Sequence, residues 1–266
     1  MEGESPSSQL YYPHENRLRP CRDLQSQALT GKAEPETSRP TPETVEGIET
    51  QIESLLSQKD YPCVAALKSY HSDEYRVGFY RGFGSGGDWK QLRNDLLYFL
   101  QEQRNSKSIY LTFWAIFLDS ELVTEEEFEK SLWSQLSWLT SIEKRDLDWG
   151  PHRDSNPEAP GFCMSLGGEP FFVVGMHPNS SRKARKFPFS TLIFNVFEQF
   201  EELEALGQYN PMVKTNRQRD VKFQGSVNPM VLNHGDAWEA IQFSGKENPP
   251  TWKCPFHFLF ESEKTR

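Results

Sequence analysis

Residues 124–139 constrain the fold more than any other stretch. Thr124 and Glu127 have the spacing of a capping box, in which each side chain satisfies the other residue's free backbone N–H. Phe128, Leu132, Leu136 and Leu139 then recur at helical intervals, and Trp133 and Trp138 widen the same face. A helix with so broad an apolar face must lie on a large apolar surface, and strand-like runs supply one. Ile109 to Phe117 reads as a buried strand, as do Asp73–Tyr80, Phe162–Leu166, Phe171–Val174 and Thr191–Val196. Gly167–Gly168 marks a hairpin between two of them.

Further helices follow from caps and period. Thr41 precedes Pro42 and Glu43, and Ile48, Ile52 and Leu55 then share one face. Asp88 precedes Trp89, Leu92, Leu96, Phe99 and Leu100, and Glu198 to Leu206 forms a helix closed by Gly207. The expectation is an α+β fold: a mostly antiparallel central sheet flanked by helices set on one side, with a loop-rich C-terminal pocket. Residues 1–40 are rich in Ser, Pro, Glu and Arg and are expected to be a disordered tail; residues 41–266 make a single domain. Residues 145–160 read as a polar loop. Arg217–Asp220, Gln224–Met230, Trp238–Gly245 and Trp252–Phe256 have no clear period and suit loops lining a site.

Composition excludes several classes. A formal net charge of -9 argues against a general nucleic-acid binder, which needs a cationic excess. No apolar run reaches bilayer length, and the first residues lack the basic start and apolar run of a secretory signal, so a cytoplasmic protein without membrane association is expected. Cys21, Cys63, Cys163 and Cys254 are far apart, which disfavours a cysteine zinc site and suits reduced thiols. There is no P-loop, and Gly82-x-Gly84 lacks the dinucleotide-binding pattern.

One segment points to a ligand. His177 ends an apolar strand-like run, and Arg182, Lys183, Arg185 and Lys186 follow within five residues. An imidazole can ligate a metal and guanidinium forks bind carboxylates or phosphates, so an anionic, metal-bearing ligand such as haem fits the pair. The plain alternative is a hydrogen-bonded strand-end histidine beside a solvated basic patch.

Several pieces in a fixed order carry a resemblance: Tyr61-Pro62-Cys63, Ser165-Leu166-Gly167-Gly168, His177-Pro178-Asn179-Ser180-Ser181-Arg182-Lys183-Ala184-Arg185-Lys186-Phe187, Phe194-Asn195 with Gln199-Phe200-Glu201, Arg219-Asp220, Gln224-Gly225-Ser226 with Asn228-Pro229-Met230, and Glu239-Ala240 with Gln242-Phe243-Ser244-Gly245. Together they resemble the YqcI/YcgG family, in its branch of haem-dependent guanidino N-hydroxylases. The sequence departs from that pattern at Trp238, where a small residue is expected, and at Phe243, where a tyrosine is expected.

The resemblance implies a haem b oxygenase that hydroxylates a nitrogen of a guanidino, arginine-like amino compound, using dioxygen and electrons from an external reductase. His177 is the first candidate for the axial ligand, with Cys63 as alternative, since a thiolate favours O–O cleavage. Cys254 is a weaker alternative, and Cys163 reads as core. Arg182 and Arg185 are candidates for the haem propionates, or one of them forms a structural ion pair with Asp220 or Glu198. Glu239 and Asp220 are candidate acceptors for the substrate guanidinium, with Asn228 and Gln224 as neutral partners; Asp220 could instead pair with Arg217 or Arg219. His234 and His257 are candidate distal groups. Two other readings compete: a haem-binding sensor or carrier without oxygenase activity, and a cofactor-free interaction module.

Overall fold

The computed structural model describes residues 9–14, 17–21, 40–106, 108–121, 124–141, 156–157, 159, 162–230 and 239–256. Its strands are β1 (Leu10–His14), β2 (Arg17–Pro20), β3 (Tyr75–Tyr80), β4 (Thr112–Phe117), β5 (Met164–Leu166), β6 (Glu169–Met176) and β7 (Ser190–Val196), joined in one sheet of order β2-β1-β3-β4-β7-β6-β5. Among the described strands only β3 and β4 pair in parallel; every other neighbour is antiparallel. The parallel pair needs a long crossover, and α3 (Trp89–Asn105) provides it, following α1 (Pro42–Leu56) and α2 (Val64–His71) in the chain. Next come α4 (Glu125–Leu139), α5 (Glu198–Ala205) and α6 (Tyr209–Gln224), with short 3-10 turns at Lys183–Arg185 and Glu239–Gln242.

Local chemistry accounts for the boundaries. The capping box at Thr124 is formed in both directions, and Thr41 Oγ1 accepts from Thr44 N at the start of α1. Asp88 precedes α3 but makes no cap; its carboxylate accepts from Arg81 N instead and closes the preceding loop. Gly167 and Gly168, with φ of 59° and 83°, form the β5–β6 hairpin, which suits residues without a Cβ.

Strand alternation sorts the sheet residues onto two faces. Phe113, Ala115 and Phe117 of β4, Phe171 and Val173 of β6, and Leu192, Phe194 and Val196 of β7 pack with α3 and α4. That layer includes Leu96, Phe99, Phe128, Leu132 and Leu136, each fully buried. Burial of each such side chain stabilises the fold by about 1.5–3 kcal/mol. Gly175 permits a close approach: a Cβ there would come within 2.7 Å of Phe128 and 2.8 Å of the Phe243 carbonyl oxygen. The opposite face, with Val77, Phe79, Trp114, Ile116, Met176 and Ile193, packs on Ile48, Ile52 and Leu55 of α1.

The α+β expectation and the mostly antiparallel sheet hold, but three expectations are corrected. Helices cover both faces, because the odd and even residues of the central strands are both apolar. The segment assigned to a disordered tail contributes β1 and β2: Leu10, Tyr11, Leu18 and Cys21 are buried, and Tyr12 donates to Glu102 of α3 while Arg76 lies over its ring. These few apolar residues reach the core because the hairpin adds them to the edge of an existing sheet. Arg217–Asp220, read as loop, lies within α6. The 145–160 loop falls almost wholly outside the described residues. No described helix is long and apolar enough to cross a membrane.

Deleting residues 1–21 should lower unfolding stability by about 3 kcal/mol or more, since several buried apolar side chains are lost. Urea titration checks this; an unchanged midpoint would mean that the hairpin adds nothing to the sheet.

Candidate functional site

The second face of the sheet does not close completely. Between it and α1, α2 and α6 lies a cavity of about 270 Å³. Alternate residues of the strands form its floor: Trp114 from β4, Phe172, Val174 and Met176 from β6, and Ile193 and Asn195 from β7. Ile52 and Leu56 of α1 and Ala66 and Tyr70 of α2 close one side; Met212 and Val213 of α6 close another. The walls are therefore mainly apolar, with polar groups gathered where the Lys183–Arg185 turn meets α6, the character expected of a ligand pocket.

Five of the residues singled out in the sequence meet at this cavity: Cys63, Arg182, Arg185, Asp220 and Asn228 all line it. Cys63 is the N-cap of α2, and its Sγ accepts from Ala66 N at 3.4 Å. Burial pushes the thiol pKa up; the helix-terminal N–H and the charge of Arg185 act in the opposite direction. A sulfur there is within reach of anything that fills the cavity.

The two arginines are both held internally. Arg182 Nη2 donates to Asp220 Oδ2 at 2.6 Å and to Ser226 O at 3.0 Å, and its Nη1 donates to Ser226 Oγ at 3.0 Å. The same Asp220 oxygen accepts from Asn228 N at 2.7 Å. Asp220 thus pairs with Arg182, whereas Arg219 donates to Tyr61 O at 3.2 Å. Arg185 Nη1 donates to Gly175 O at 3.0 Å and Phe243 O at 3.4 Å, and its Nη2 donates to Gln242 O at 3.3 Å. It ties β6 to the 239–245 segment, and burial pulls its pKa down. Gln224 is spent on the backbone of Ser181 and Lys183.

His177 is placed elsewhere. It does not line the cavity; its ring stacks on Phe128 of α4 with centroids 4.3 Å apart and is 1% exposed. Neither ring nitrogen has a hydrogen-bond partner among the described residues. Burial lowers its pKa, and Glu125 offsets part of that effect. Glu239 opens the 3-10 turn whose last residue, Gln242, lines the cavity. Cys163 is buried core as expected, and Cys254 packs at the edge of the α3–α4 layer, with burial raising its pKa to about 12. His234, Trp238 and His257 lie outside the described residues. Among the described residues no cluster of three or more His, Cys, Asp or Glu side chains could hold a metal ion; a haem iron needs only one or two protein donors.

The sequence reading placed Arg217 in a segment lining a site and Asn195 in a motif piece but gave neither a role toward a ligand; both line the cavity. The signal for Asn195 was available: it stands at an alternate position between apolar neighbours of β7, on the same face as Ile193. Arg217 carried no such signal, because its helix lacks a regular apolar stripe.

The buried imidazole gives a pH prediction. Its folded-state pKa lies below the free value of about 6.5, so the unfolded chain binds the proton first and stability falls as pH drops below that value. Urea unfolding at pH 7.5 and pH 5 should show the loss, and His177→Gln should make it smaller; equal losses in both proteins would contradict the assignment.

The YqcI/YcgG family pattern matches residues 52–257. The chain is also 25% identical over 232 residues to the uncharacterized protein YqcI of Bacillus subtilis (strain 168), covering 80% of this chain and 89% of that protein. No solved structure matches it significantly. With the matched region spanning α2 to the 239–256 segment and every wall of the cavity, the chain belongs to the YqcI/YcgG family.

Proposed function

We propose that the cavity takes haem b with Cys63 as the axial donor, and that the chain is a haem-dependent N-hydroxylase of a guanidino, arginine-like amino compound. The observation that carries this reading is convergence: Tyr61-Pro62-Cys63, Arg182, Arg185, Asp220, Asn228 and Gln242, scattered over some two thirds of the chain, line one apolar cavity. The donor set fits the group. A thiol on an apolar wall is a suitable iron ligand, and Arg182, Arg185 and Arg217 outnumber the single lining carboxylate, Asp220, as an anionic ligand requires. The stacked, enclosed ring of His177 fits the ligand role less well.

Bound haem would supply dioxygen activation, with electrons from an external reductase. The chain's own residues do the rest. Burial favours the neutral thiol at Cys63, the Ala66 N–H and the Arg185 charge oppose this only in part, and the thiol would have to give up its proton on binding iron. The floor of Trp114, Phe172, Val174 and Ile193 keeps water from the reacting centre. Asp220 is already committed to Arg182, so its role is to hold that arginine at the rim, and a substrate guanidinium is left to Glu239, three residues before Gln242, and to neutral acceptors such as Asn195.

Protein produced with a haem precursor should show a Soret band, and its ferrous–carbon monoxide form should have the thiolate-type position. Cys63→Ser should abolish that form, and His177→Ala should retain it. An imidazole-type spectrum lost in His177→Ala would transfer the ligand role to His177, and a colourless protein that takes up no haemin would end the haem reading. Turnover with arginine-like compounds, a reductase and dioxygen should give an N-hydroxylated product; oxygen binding without product would favour a sensor or carrier.

A further inference from the structure

The walls of the cavity are held in different ways. α1 buries five residues and α2 packs Ala66, Leu67 and Tyr70 on the same core, but α6 buries only Asp220 among its 16 residues and packs only Phe223 there, edge-on to Tyr61. Its attachments are largely polar. Asn216 Oδ1 accepts from Val64 N at 3.0 Å, Arg219 donates to Tyr61 O at 3.2 Å, and Asp220 receives Arg182 at 2.6 Å. Asn216 lies at its middle and Arg219 and Asp220 toward its C-terminal end, while Met212 and Val213, nearer its start, line the cavity. Gly207 and Gly225 bracket the helix with φ of 66° and 93°, and a Cβ on either would meet nothing within 4 Å. These glycines therefore serve backbone turning, not close packing.

Polar contacts exchanged for water cost little, whereas exposing the apolar residues of α1 and α2 costs several times more. The cavity can therefore open at α6 more readily than at those walls. We infer that α6 is a hinged lid over the cavity, turning at Gly207 and Gly225, with the Arg182–Asp220 pair as its latch, and that ligand enters beneath it. The lid follows from how the cavity is walled, so it stands whether or not the ligand is haem.

Hydrogen-exchange mass spectrometry on the full chain tests this. Without ligand, amides of 209–224 should exchange at least about tenfold faster than those of α3 and α4. Asp220→Asn should raise the rate of α6 several-fold further and leave α3 and α4 unchanged; if that variant does not fold, Arg219→Gln removes another polar attachment of α6, its contact with Tyr61 O, and should act in the same direction. Added haemin, where it binds, should slow α6 selectively. Exchange of α6 as slow as that of α3 and α4, or a latch variant that folds without speeding it, would overturn the lid. Haemin bound with no protection of α6 would overturn the route of entry. Failure of haemin to bind would count against the haem reading alone, and the ligand-free rates would still decide the lid.

Discussion

The structure depends on a sheet that is apolar on both faces and leaves a cavity on one of them. Alternation along β4, β6 and β7 sends Phe113, Phe171, Val173 and Phe194 into a closed layer with α3 and α4. It sends Trp114, Phe172, Val174 and Ile193 to the other side, where α1, α2 and α6 do not fill the space. Gly175 lets the closed layer approach to van der Waals distance. The open layer keeps a cavity because its third cover, α6, has polar attachments in place of an apolar stripe.

The electrostatics of that cavity come from a few side chains whose partners lie far away in sequence. Arg182 and Asp220 are 38 residues apart, and their pair also fixes the Ser226–Asn228 turn. Arg185 spends its fork on three backbone carbonyls, so its charge is not neutralised by a contacting carboxylate. The cavity is thus positive at its rim and apolar on its floor, a combination that suits an amphipathic anion better than a free cation. Within this rim the Asp220 carboxylate is already engaged by Arg182 and the Asn228 N–H.

Elements whose signal is local were legible in the sequence. The capping box at Thr124, the paired glycines 167–168 and the helical period of Trp89 to Leu100 each have a short-range cause, and each element formed where that cause stood. What was not legible depends on tertiary context. β1 and β2 have too few apolar residues to mark themselves as strands, and they exist because β3 offers an edge. α6 has helix-compatible residues without a buried face, so periodicity could not find it. Of the site, the convergence of Cys63, Arg182 and Arg185 was foreshadowed by the motif pieces, but the direction of a side chain was not. His177 follows Met176, a floor residue of the cavity, yet its ring stacks on α4. One position along a strand end is enough to exchange the two faces.

The central claim is that the cavity between the sheet and α1, α2 and α6 holds the ligand, with Cys63 as donor. A crystal structure of the protein produced with a haem precursor tests it most directly. The proposal predicts haem inside this cavity with its iron held by Cys63. Iron bonded to His177, or a macrocycle seated outside this cavity, would contradict it.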